Sequence, residues 1–116
     1  MIQRTNLHFL SDVMNAIEAI ERFVPSELDY RTFSMDEKTI RAVERELEII
    51  GEAVKRFPAS LTGKYSEIPW RAVGGMRDRL AHHYWETETD ILWETIKKSI
   101  PQLKKVIRKI IDNENR

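Results

Sequence analysis

At 116 residues, with 41% apolar and 33% charged side chains, the chain is sized for one domain around one hydrophobic core. Four Gly and four Pro are too few for a loop-rich or β-sandwich fold, and the lack of cysteine excludes a disulfide framework and a thiolate metal site. Net charge is zero, which speaks against a strongly basic nucleic-acid binder, and no apolar run approaches the roughly 20 residues of a membrane span.

The charge is not evenly spread. Residues 1–53 carry 6 basic and 11 acidic groups, and residues 54–116 carry 13 basic and 8 acidic, so the halves stand at −5 and +5. Ordinary helix surface charge and an anionic partner for the second half both fit this asymmetry. The opening residues MIQRTNLHFLSDV lack the apolar core of a secretory signal, so cytoplasm is the expected location. No repeat, low-complexity tract or linker divides the chain, and residues 1–116 are expected to form a single domain.

In chain order, Leu7, Leu10, Met14, Ile17 and Phe23 recur at helical spacing over Leu7 to Val24, with Val13 and Ile20 widening the stripe. Pro25 and a polar stretch to Phe33 end this helix. Ser34-Met35-Asp36-Glu37 reads as a capping box opening a second helix through Ile40, Val43, Leu47, Ile50 and Val54 to about Phe57. A loop with Gly63 leads to Pro69, suited to the first turn of a third helix from Trp70 to about Tyr84. Thr87 with Asp90 opens a fourth, and Pro101 either kinks it or splits off a last helix ending near Asn113. No segment alternates with period two. The expected fold is all-α, a bundle of four to five helices.

The third helix carries the unusual chemistry. Gly74 and Gly75 together cost about 1 kcal/mol each against alanine in a helix interior, which is reasonable if another backbone, from this chain or a second one, comes close. Beyond them, two Arg, one Asp, two His and one Tyr fall within the eight residues 77–84. At about 100° per residue, Asp78 and His82 lie about 40° apart, so the carboxylate can orient the imidazole and raise its pKa. Arg77 and Tyr84 lie nearly on one line. Arg77 and His82 are about 140° apart and would flank a groove, whose opposite wall is most economically a second copy of the helix in a symmetric dimer. Two His and two Arg around one cleft suit metal-free phosphodiester cleavage: one His takes a 2′-hydroxyl proton, the other protonates the leaving 5′-oxygen, and Arg steadies the charged phosphorane. On spacing alone, a surface helix with solvated or paired charges is the better fit.

Arg77-x4-His82-x-Tyr84, within MRDRLAHHYW, resembles the R-x4-H-x-Y signature of HepT-like proteins of the HEPN superfamily. Asp78 matches the polar residue that follows the arginine there. Ile50-Gly51-Glu52-Ala53, Ile68-Pro69-Trp70-Arg71 and Leu92-Trp93-Glu94-Thr95 are similar to further family elements, so the resemblance covers about residues 5–112. It implies a dimerising helical bundle and the toxin of a type II toxin–antitoxin system: an endoribonuclease needing no metal or cofactor, with Arg77, Asp78 and His82 catalytic. It also implies a partner, an MntA-like minimal nucleotidyltransferase that inhibits the toxin by moving AMP from ATP onto Tyr84. His83, a second imidazole at a variable position, could compete with His82.

Two other readings stand beside this one. A non-catalytic HEPN-type module would bind a nucleotidyltransferase or nucleotide and cleave nothing. A metal hydrolase would use His82, His83 and Glu86, but adjacent histidines diverge on a helix and no HExxH pattern is present. The basic C-terminal residues Lys97, Lys98, Lys104, Lys105, Arg108 and Lys109 form a solvated face that could guide RNA phosphates, or lie on a membrane. Trp93 with Ile96 and Ile100, and Gly51 within its helix, are expected to be packing residues, and His8 a surface residue.

Overall fold

The computed structural model describes residues 4–76 and 85–114, with side chains from 6–76 and 89–114. Every regular element among them is helical. In chain order these are α1 (Arg4–Phe23), α2 (Tyr30–Ser34), α3 (Glu37–Val54), α4 (Ala59–Thr62), α5 (Trp70–Gly74), α6 (Trp85–Glu94), a π-helical turn (Thr95–Ser99) and α7 (Ile100–Glu114).

The core is a three-way seam. Leu10, Val13, Ile17 and Ile20 of α1 meet Ile40, Val43, Leu47 and Ile50 of α3 and Leu103, Val106, Ile107 and Ile110 of α7, all essentially excluded from water. Burial of such side chains is worth about 1.5–3 kcal/mol each, so this seam dominates the fold's stability. The α1 stripe is rotated from its expected centre. Val13 and Ile20 are fully buried, Leu7 and Met14 are half-buried, and Phe23 is exposed.

Local signals set the ends. The second long helix is capped by Asp36, which accepts from the Thr39 N–H at 3.1 Å, rather than by Ser34, whose hydroxyl donates to the Arg31 carbonyl at 2.8 Å. Ser34 belongs instead to α2, a five-residue helix capped by Asp29, whose carboxylate accepts from the Thr32 N–H at 2.8 Å. The Thr32 N–H holds the Asp29 carboxyl below its ordinary range, and the Thr39 hydroxyl, then the Thr39 N–H, does so for Asp36. Phe33 of α2 is fully buried and stacks obliquely on Trp93 of α6 at 5.1 Å, while Tyr30 meets the same indole edge-on. Trp93 therefore packs as expected, with Lys97 over its exposed side at 4.5 Å.

Thr87 does not open a helix, because α6 is already under way at Trp85. At Pro101 the backbone stays helical, and the two helices α6 and α7 are joined through a π-turn. Ahead of the proline the ladder widens to this turn, in which the Ile100 N–H bonds the Thr95 carbonyl, five residues back. Proline has no N–H and collides with the carbonyl four residues earlier, here that of Lys97, and a wider turn relieves that clash. The loop before α5 is fastened to α7: the Tyr65 hydroxyl donates to Glu114 at 2.8 Å, and Lys109 meets Glu67 at 3.1 Å. Tyr65, then Lys64, holds the Glu114 carboxyl below its ordinary value.

Candidate active site and its approaches

The segment singled out for chemistry is entered from α5. Pro69 stands at the position before its first residue, with φ −77° and ψ 75°, so its missing N–H removes no helical bond. The Trp70 indole N–H donates to the Tyr65 carbonyl at 2.7 Å, and its ring meets Phe57 edge-on at 5.5 Å. Two sides of the indole are thus fixed. After Gly74 the helix closes at Gly75, whose N–H bonds the Arg71 carbonyl at 3.1 Å, instead of running unbroken from Trp70 to Tyr84. Met76, buried, is the last described residue before the motif.

Gly74 explains its own presence. A Cβ there would lie 3.2 Å from Lys55 Cγ and 4.0 Å from both the Gly51 carbonyl oxygen and Val54 Cγ1. The backbone that comes close is therefore α3 of the same chain, with buried Gly51 on the facing side. Gly74 accordingly carries no information about a second protomer. The composite-cleft idea then rests on the angular separation of Arg77 and His82 and on the dimerising bundle that the family resemblance implies.

Arg77, Asp78, His82, His83 and Tyr84 lie outside the described residues, as does the side chain of Glu86. The surroundings of the segment are described, and their charges divide into two sets. Lys98 pairs with Glu94, Lys104 with Glu21 at 2.8 Å and Lys109 with Glu67 at 3.1 Å. Most of the C-terminal lysines expected to guide phosphates are thus engaged within the chain. By contrast Lys55 and Arg56, at the end of α3, and Arg71, on α5, are exposed and make no ion pair among the described residues. Lys55 touches the Gly74 contact, and Arg56 borders a groove of about 320 Å³ between α1 and α3 that also holds Asp12 and Arg45. Sequence reading valued Arg71 only as part of a helix start and passed over Lys55. No sequence signal marks them, since Glu52 stands three residues before Lys55 and Glu67 four before Arg71; the structure instead pairs Glu67 with Lys109.

His8 is exposed, 3.7 Å from Asp12. Among the described residues no group of three His, Asp or Glu is arranged to hold a metal, and no helix is long and apolar enough to cross a membrane.

Comparison with known proteins defines the class. The family model described as ribonuclease HepT-like matches residues 13–110, so the chain belongs to the HepT-like ribonuclease family, of the HEPN superfamily. A Thermococcus cleftensis protein named "Probable ribonuclease HepT" is 42% identical over 109 residues, spanning 94% of this chain and 98% of its own length. A candidate RNase of Caldanaerobacter subterraneus is 39% identical over 92% of this chain and 91% of its own. A candidate RNase of Methanocaldococcus jannaschii is 41% identical over 89% of this chain and 88% of its own. No solved structure gives a significant match.

Proposed function

We propose that the chain is the toxin of a type II toxin–antitoxin pair, a cytoplasmic endoribonuclease that cuts RNA without a metal ion in a cleft shared by two protomers. The observation that carries this reading is the presence of Arg77, His82 and Tyr84 at R-x4-H-x-Y spacing in a chain matched over residues 13–110 by a ribonuclease family. His82 of one protomer removes the proton from a 2′-hydroxyl as that oxygen attacks the adjacent phosphorus. His82 of the partner subunit gives a proton to the departing 5′-oxygen, leaving a 2′,3′-cyclic phosphate. Arg77 holds the phosphorane oxygens with its planar fork, and Asp78 orients His82. A nucleotidyltransferase antitoxin joins AMP from ATP to the Tyr84 oxygen, releasing pyrophosphate and the phenolic proton. The adduct brings negative charge and bulk to a cleft that must admit RNA phosphate.

The test is digestion of single-stranded RNA by pure protein in excess EDTA, with mass analysis of the new 3′ ends. Cyclic phosphate or its hydrolysis product is expected, with a DNA of the same sequence left intact. Cleavage restored only by added divalent ions, or comparable cutting of DNA, overturns the mechanism. A pure protein that leaves RNA whole overturns the enzyme in favour of a binding module.

A further inference from the structure

A depression of about 770 Å³ opens beside α5, where the loop after α4 turns into the helix that leads to the motif. Ile68, Pro69 and Trp70 make its apolar wall, the hydroxyl side chains Thr62 and Ser66 line it, and Arg71 stands at its edge. The wall is preformed. Trp70 is held by its N–H bond to the Tyr65 carbonyl, and the loop is tied to α7 through the Tyr65–Glu114 and Lys109–Glu67 contacts. Arg71 has no ion-pair partner among the described residues, although the chain matches most of its neighbouring lysines with acids.

A flat apolar wall with a few hydroxyls and one unneutralised guanidinium fits a nucleotide. The base presents a π-face to an aromatic and a proline ring, its edges need hydrogen-bonding groups, and its phosphate needs a cation. Peptide chains rarely offer that combination in one unit. We infer that this depression seats one unpaired nucleotide of the RNA substrate, with its base against Pro69 and Trp70 and its phosphate on Arg71. This inference rests on the ribonuclease reading and names where the strand lies beyond the scissile bond. A rigid wall suits such a task, because little side-chain order remains to be imposed on binding.

The experiment measures anisotropy of a fluorescein-labelled single-stranded oligonucleotide, 2′-O-methylated throughout so that it binds without being cut. Arg71→Ala is expected to weaken binding about three- to tenfold and to lower the salt slope of log K by about 0.7, the value for one single-strand phosphate contact. Arg71→Lys should restore the slope. Lys38→Ala, at the start of α3 and about 20 Å along that helix from Gly51, should leave it unchanged. Oligonucleotides abasic at one position in turn should show one position where the wild type loses about fivefold or more. Ser66→Trp, an exposed loop substitution that fills the depression, should erase that difference. An Arg71→Ala slope equal to wild type overturns the inference, as does an abasic series with no sensitive position. A wild type that still cuts native RNA in either case keeps the ribonuclease reading intact. A wild type that neither binds nor cuts RNA removes both.

Discussion

Arg71 and Lys104 are both cations on a helical surface, and they differ in what surrounds them. Lys104 is neutralised by Glu21 at 2.8 Å and has little charge to offer a ligand, whereas Arg71 stands alone at the rim of a depression. Sequence counts give both residues the same weight, so the +5 of the second half was legible while its address was not. The same holds for caps. Ser34 and Asp36 are both good capping residues, and only the turn at Met35 decides that Asp36 caps α3. Asp36→Ala should lower the midpoint of urea unfolding at neutral pH through loss of the cap. Because the folded state holds this carboxyl below its ordinary value, its contribution is present above about pH 4 and fades as pH falls through the lower folded value. Asp36→Asn should keep most of the cap and flatten that acid limb. Within the motif, His82→Ala should lose most of the roughly 10²–10⁴-fold that general acid–base catalysis supplies. Tyr84→Phe should keep more cleavage and become insensitive to an AMP-transferring antitoxin with ATP, since a phenol of pKa about 10 is a poor base near neutrality. Adduct mass and cleavage, measured with and without that partner, separate the two roles. A Tyr84→Phe protein that still gains AMP and loses activity places the switch on another residue.

At the level of elements, α5 is held by what it lacks. Gly74 lets the helix lie against α3, and the nearest obstacle to a side chain there is Lys55 Cγ at 3.2 Å, part of a flexible exposed stem. Gly74→Ala gains up to about 1 kcal/mol of helix propensity and must move that stem by a few tenths of an ångström, so its net effect should be small. In a Lys55→Ala background the obstacle is gone, and Gly74→Ala should stabilise by about 0.5–1 kcal/mol in urea titrations. Gly74→Leu has to displace Val54 and the Gly51 carbonyl, and should destabilise by about 1–3 kcal/mol. If Gly74→Leu is tolerated without loss, α5 is not seated on α3 through this contact. The long helices α1, α3 and α7 were legible because each shows several turns of apolar period. The helices α2 and α4, of five and four residues, are shorter than the window in which a period can be seen. The π-turn before Pro101 was only half legible. Proline announces that the ladder must change, but whether the chain kinks, splits or widens depends on the packing of Ile96, Ile100 and Leu103, all buried in the core.

For the whole molecule, the open question is whether one chain makes a complete site. The all-α fold and the family were legible because motifs spread over most of the chain agreed, and residues 13–110 match the HepT-like family. Beside the family resemblance, the second protomer was read from the glycine pair and from one angle, and Gly74 of that pair faces α3 of its own chain. What remains is the 140° between Arg77 and His82, and it makes a prediction about mixtures. In a shared cleft one His82 acts as base and its symmetry mate as acid, so a dimer needs both copies intact. Wild-type protein is mixed with an equal amount of His82→Ala protein and allowed to exchange subunits fully. Random pairing leaves about a quarter of the dimers wild-type on both sides, so activity should fall to about a quarter of that of the same total of wild-type protein. Sites complete within one chain give about a half, because each wild-type protomer works whatever its neighbour. The mixing ratio can be varied to follow the curve, which is quadratic in the wild-type fraction for the shared cleft and linear for independent sites. Light scattering on the same samples fixes the assembly state. A linear curve from a protein that is dimeric in solution would show that dimerisation serves something other than the two-histidine cleft, and one His82 per site would then have to perform both proton transfers in turn.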